Sequence, residues 1–107
     1  MKVVLIRPPV LQLRSNLSAY GAILPIGLAY IAAILRSHGH DVSVIDGAGE
    51  ALDKCQTVTS PVGVLTRQGL SLDEIVRRID AGVEVVGITH MFLHEWPTIR
   101  ELSEKIK

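Results

Sequence analysis

A chain of 107 residues has room for one small domain, and a 48% hydrophobic fraction with few aromatics suits a core of Val, Ile, Leu and Ala rather than a disordered tail. Eleven Lys plus Arg balance eleven Asp plus Glu, both signs spread along the chain, so no basic face recommends nucleic acid or an anionic membrane as a partner. The single cysteine, Cys55, excludes an internal disulfide framework, and with no basic-then-apolar leader ahead of the first strand the expectation is a cytoplasmic protein.

The first predicted strand is "KVVLI", Lys2 to Ile6, closed by Arg7-Pro8-Pro9. Near-continuous apolarity with a proline stop describes a parallel strand covered on both faces. Residues 10–22 show no clean period of 2 or 3.6 and read as a loop lying over the strand ends. Loops longer than about twelve residues inside compact domains are often functional. "PIGLAYIAAILRSHGH" predicts a helix, with Pro25 at its first position and Gly39 as its stop. Its body is apolar almost all round, which suits a helix packed between the sheet and a further protein surface. The apolar run from Ala22 to Leu35 is broken by Pro25 and Gly27 and is shorter than the roughly 20 residues that a membrane span needs.

"DVSVIDG" predicts the second strand, Val42 to Ile45, left by an Asp46-Gly47 turn, and the three elements make a βαβ unit. Ala48 to Gly69 mixes a helical start at Glu50 to Lys54 with a small hairpin around Pro61 and Gly63. Ser71 with Glu74 forms a capping box ahead of an apolar stripe of Leu72, Ile75, Val76 and Ile79, and Gly82 ends that helix. Val83 to Ile88 is the third strand, and Pro97 opens a last helix whose Ile99, Leu102 and Ile106 share a face.

The predicted fold class is α/β, a Rossmann-like doubly wound parallel sheet with strand order 2-1-3. Such domains carry about five strands, so the expectation is part of a larger domain. An unpaired sheet edge and a bare helix face would then make the isolated chain marginally stable or self-associating.

Ligands of open parallel sheets bind at the carboxyl ends of the strands. Arg7-Pro8-Pro9 and the loop after it, Asp46-Gly47, and Thr89 to Trp96 meet there. A dinucleotide site would place Gly-x-Gly-x-x-Gly after the first strand, where this chain has two prolines, so Asp46 lacks the glycines that a ribose-binding acid accompanies. No phosphate P-loop is present, and a receiver domain would have acids where Arg7 and Thr89 stand. In "VVGITHMFLHEWP", His90 and His94 are four apart with Glu95 adjacent. They admit three readings: imidazoles for zinc, hydrogen-bonding residues of a turn, or contacts to a bound cofactor. Trp96 before Pro97 reads as a packing anchor at a helix start, and Cys55 as a buried or incidental thiol.

Taken together, "KVVLIRPP", the long loop, "LPIGLAYIAAILRSHGHDVSVIDG" and "VVGITHMF" resemble the N-terminal cobalamin-binding domain of cobalamin-dependent radical SAM enzymes. That group includes methyltransferases and the oxygen-independent magnesium-protoporphyrin monomethyl ester oxidative cyclases. The resemblance covers nearly the whole chain and implies that residues 1–107 form part of such a domain. The domain would present the cobalt to a radical SAM domain of the same parent chain, for methyl transfer or for radical oxidation and cyclisation. The parent would also use S-adenosylmethionine and a 4Fe-4S cluster, both bound outside this chain, and the fragment alone would not turn over.

By position, the implied cofactor contacts are Pro8, Pro9, Tyr20, Gly21, Leu24, Asp46, Gly47, Thr89, His90, Met91 and Phe92. Thr89 and Met91 match the serine and leucine of the family's Ser-x-Leu pattern. The histidine-ligated cobalamin domains carry Asp-x-His-x-x-Gly after the first strand, and this chain has no histidine there, as radical SAM relatives commonly lack it. Two readings from other classes stand beside this one: a cofactor-free Rossmann-like interaction or regulatory domain that docks a partner on its apolar helix, and a nucleotide-sugar-binding half-domain of a glycosyltransferase.

Overall fold

The computed structural model describes residues 1–13, 25–51, 53–60, 63–90 and 95–107. Strands β1 (Lys2–Arg7), β3 (Asp41–Asp46) and β6 (Val85–Ile88) form a parallel sheet in the order β3-β1-β6. This is the predicted 2-1-3 order, and with its helices the sheet is a partial Rossmann-like α/β fold. β1 sits in the middle, in register from Lys2↔Asp41 to Arg7↔Asp46 on one side and from Val3↔Val85 to Ile6↔Ile88 on the other.

The continuous apolar run of β1 has a direct structural cause, because alternate side chains feed opposite faces of the sheet. Val3 and Leu5 join Val42 with Leu28 and Ala32 of helix α1 (Ile26–Ser37). Val4 and Ile6 join Ile45, Ala51, Leu70 and the helices α2 (Leu72–Arg77) and α3 (Trp96–Ile106), through Leu72, Ile75 and Leu102. Ile6, Ile75 and Leu102 are fully buried, each contributing about 2 to 3 kcal/mol.

Helix α1 shows one face to the sheet only. Ile26, Tyr30, Ile31 and Ile34 stand exposed, so the expectation of a helix covered on both sides is met on the sheet side alone among the described residues. Arg36 near its end donates from both Nε and Nη2 to the Val42 carbonyl of the edge strand β3, at 3.2 and 2.7 Å. No described helix is long and apolar enough to cross a membrane.

A second sheet was only partly anticipated. β4 (Cys55–Ser60) and β5 (Gly63–Gln68) form the expected hairpin, preceded by a short 3-10 turn at Gly49–Ala51. Val10–Leu13, read as loop from the sequence, is instead a strand, β2, paired antiparallel with β5 from Val10↔Gln68 to Leu13↔Leu65. Four residues are too few to display a period, and their pairing partner lies more than fifty positions away. Residues 14–24 lie outside the described residues.

Helix α2 starts as its capping box requires. Ser71 Oγ accepts from the Glu74 amide at 3.2 Å and donates to the Glu74 carboxylate at 3.1 Å. Lys54 Nζ reaches the same carboxylate at 3.2 Å, and this bond, more than the opposing desolvation and with help from the Ser71 bonds, holds the Glu74 carboxyl below its ordinary 4.5. A carboxyl depressed in the folded state adds stability above its unfolded value and loses it as pH falls through the folded one. Urea midpoints of the wild type are therefore expected to fall more steeply between about pH 7 and about pH 3 than those of Glu74→Gln. Parallel curves would remove Glu74 from the acid response.

Candidate functional site

The carboxyl ends of β1, β3 and β6 are bound together by backbone. The Thr89 amide donates to the Ile6 carbonyl at 3.0 Å, extending the β1–β6 pairing past the end of β6. The Gly47 amide donates to the Arg7 carbonyl at 2.7 Å, and the Gly47 carbonyl accepts from the Leu70 amide at 2.6 Å. One glycine thus joins the end of β1, the end of β3 and the lead-in to α2. A Cβ on Gly47 would lie 2.6 Å from the Arg7 carbonyl oxygen, 3.1 Å from Ile75 Cδ1 and 3.2 Å from the Pro9 nitrogen, which leaves no room for a side chain. Gly69, next to Leu70, has φ +131°, and a Cβ built on it would collide with the Gly47 carbonyl, so it too must be glycine.

Arg7 and Asp46, opposite one another in the β1–β3 register, make an ion pair at 3.5 Å with both side chains largely buried. Asp46 Oδ1 also accepts from the Gly49 amide at 2.9 Å, which shapes the turn after β3. Asp46 thus has a structural role, holding a partly buried guanidinium and a turn.

The other sequence-derived positions divide clearly. Pro8, Pro9 and Gly47 are buried, Pro9 completely, so they shape the edge rather than offer side-chain surface. Thr89 is half-buried and His90 exposed, the His90 ring tilted 37° to that of Trp96 with centroids 5.8 Å apart. Trp96 is itself half-exposed at the start of α3, so it borders the edge more than it anchors a core. Tyr20, Gly21, Leu24, Met91 and Phe92, with His94, lie outside the described residues. Among the described residues no group of three or more His, Cys, Asp or Glu side chains gathers in a way that could hold a metal ion. Cys55 is an exposed free thiol at the start of β4.

Sequence reasoning missed Arg67. It lies on β5 opposite Leu11 of β2, at 9% exposure, on the same inward face as the buried Leu65. Its Nη2 donates to Thr98 Oγ1 at 3.2 Å in the first turn of α3 and stands 3.6 Å from Glu101 Oε2, while its Nε is buried without an acceptor. The signal was present as alternation: Leu65 and Arg67 are two apart, so a strand there had to turn a charge inward.

The chain is 34% identical over 102 residues to cytidylyl-2-hydroxyethylphosphonate methyltransferase of Streptomyces wedmorensis, a match that covers 94% of this chain and 18% of that protein. The chain therefore spans under a fifth of the length of this curated relative. No protein-family model matches the chain, and no solved structure matches it.

Because Gly47 lies within van der Waals contact on three sides, Gly47→Ala is expected to destabilise the chain by about 2 kcal/mol, within the range for overpacking of a filled site. A urea midpoint equal to that of the wild type would show that the junction has room to spare.

Proposed function

We propose that the chain is a cobalamin-binding unit of a methyltransferase of the radical SAM type, and that the corrinoid lies across the carboxyl edge of the parallel sheet. Methyl transfer comes from the relative, which is named a methyltransferase and whose likeness runs through nearly all of this chain. The corrinoid comes from the resemblance in β1, α1 and β6. When bound, the group supplies cobalt-centred methyl chemistry, and the protein's part is position and electrostatics.

The observation that carries the reading is the composition of that edge. An orphaned buried donor, Arg67 Nε, lies on the strand that packs against the start of α3, which suits a ligand rich in amide and phosphate acceptors. The half-buried Thr89 and exposed His90 follow β6 directly, where a ring laid over the strand ends would meet them. The chain presents prolines rather than an imidazole after β1, which suits a cobalt that takes no histidine from that loop. His90 is assigned to the ring's surroundings and to Trp96, not to the metal. The remaining parts of the parent, a radical SAM domain with S-adenosylmethionine and the 4Fe-4S cluster, belong to sequence outside this chain, and cyclisation is the alternative outcome there.

The second reading is a cofactor-free docking domain, favoured by the exposed Ile26, Tyr30, Ile31 and Ile34 of α1. The two separate on one experiment. Purified protein incubated with hydroxocobalamin and desalted is expected to keep a corrin absorbance spectrum and to lose fluorescence from Trp96, its one tryptophan. A colourless protein with unquenched Trp96 would overturn the cofactor reading and leave the docking one.

A further inference from the structure

We infer that Arg67 and the first turn of α3 form a subsite for an acceptor oxygen, either an amide carbonyl or a phosphodiester oxygen, at the periphery of the corrinoid; this rests on the cofactor reading above.

Burying Arg67 has a cost. An inward-facing charge is unfavourable unless its donors are matched, and an apolar side chain beside Leu65 and Leu11 would have satisfied the strand pattern equally well. The partners found do not complete the guanidinium. Nη2 has the Thr98 hydroxyl at 3.2 Å, Thr98 being 1% exposed. Glu101 stands at 3.6 Å with about half of its side chain in solvent, so that contact is screened and weak. Nε has no acceptor.

The side to which Arg67 points is the positive end of a helix. Thr98 is the third residue of α3, after Pro97, which has no N–H, and the N-cap Glu95 makes no side-chain cap, so the helix dipole is what favours an acceptor at this end. A buried, partly matched donor fork beside the positive end of a helix is a place for an oxygen acceptor. About a tenth of the Arg67 side chain reaches solvent, at atoms other than the buried Nε, so a ligand would meet the rim of the guanidinium. With the Glu101 carboxylate 3.6 Å away, the site suits a neutral amide oxygen or a singly charged phosphodiester better than a dianion. A corrinoid carries both, amides around the ring and the phosphodiester in its nucleotide tail.

Position supports the same assignment. Arg67 is one residue from the end of β5, and Gly69 and Leu70 beyond it bond to Lys54 and Gly47, so the fork sits where the second sheet meets the carboxyl edge. Trp96 opens the same helix and reports on the site.

The test is a titration followed by Trp96 quenching, with hydroxocobalamin and with dicyanocobinamide, which lacks the nucleotide. Wild type, Arg67→Lys and Thr98→Val are compared, with far-UV circular dichroism as the check of folding. Arg67→Lys keeps the charge and loses the fork, and is expected to weaken hydroxocobalamin binding by about ten- to a hundredfold. Thr98→Val, which unseats the guanidinium, is expected to weaken it by severalfold, about a single neutral hydrogen bond's worth. Loss with hydroxocobalamin alone assigns the phosphodiester, and loss with both corrinoids assigns a ring amide. A folded Arg67→Lys that binds both as the wild type does overturns the subsite and leaves the cofactor reading standing. If Arg67→Lys does not fold, an unchanged affinity in Thr98→Val overturns it instead. A wild type that binds neither corrinoid overturns the cofactor reading and the subsite with it.

Discussion

The arrangement depends on how closely the backbone packs at Gly47. Its amide and carbonyl, bonded to Arg7 and Leu70, fasten the middle strand to the turn after β3 and to the approach of α2. No side chain fits there, and Gly69 beside it is held at a φ that L side chains avoid. These backbone bonds, with the Arg7–Asp46 ion pair and the Asp46 bond to the Gly49 amide, hold the carboxyl edge together. Thr89, half-buried, and His90, exposed, follow β6 at that edge, while the Arg67 fork lies buried against the first turn of α3.

The two faces of the parallel sheet are finished to different degrees. On the α2 and α3 side the core is continuous, from Val4 and Ile6 through Ile75 to Leu102, and ion pairs such as Lys105 with Asp73 at 3.0 Å link the two helices at their surface. On the α1 side the core is smaller, Val3, Leu5, Leu28, Ala32 and Val42, and the outer face of α1 is apolar and exposed. Surface of that kind marks an interaction site or an aggregation hazard. The antiparallel sheet of β2, β5 and β4 extends from the carboxyl edge and brings Arg67 against α3, so it links the edge to the more complete face.

Elements with their own periodicity were legible in the sequence. β1 announced itself by unbroken apolarity, α1 by its proline start and glycine stop, and α2 by its Ser71–Glu74 box, because each of these signals arises from interactions within a few residues. β2 was not legible, since its existence rests on pairing with β5 and on the burial of Leu11 rather than on any local preference. The turn at Asp46-Gly47 was readable as a turn, but the reason for the glycine, a carbonyl of another strand 2.6 Å from where a Cβ would be, belongs to the tertiary fold. At the site, the gathering of Pro8-Pro9, Asp46-Gly47 and Thr89-His90 at one edge followed from the topology alone. Arg67 escaped because a single charge in a short β-branched stretch looks like surface until the strand's inward face is known.

The central claim is that a corrinoid occupies the carboxyl edge of this sheet, and its most direct test is the position of the cobalt. Crystals of the chain grown with hydroxocobalamin and measured at the cobalt absorption edge would place the metal by anomalous scattering alone. The account predicts a single peak above the ends of β1, β3 and β6, with density for the ring beside Thr89 and its periphery reaching toward Arg67. A peak against the exposed face of α1 would contradict it, and so would crystals from that mixture with no peak on the protein.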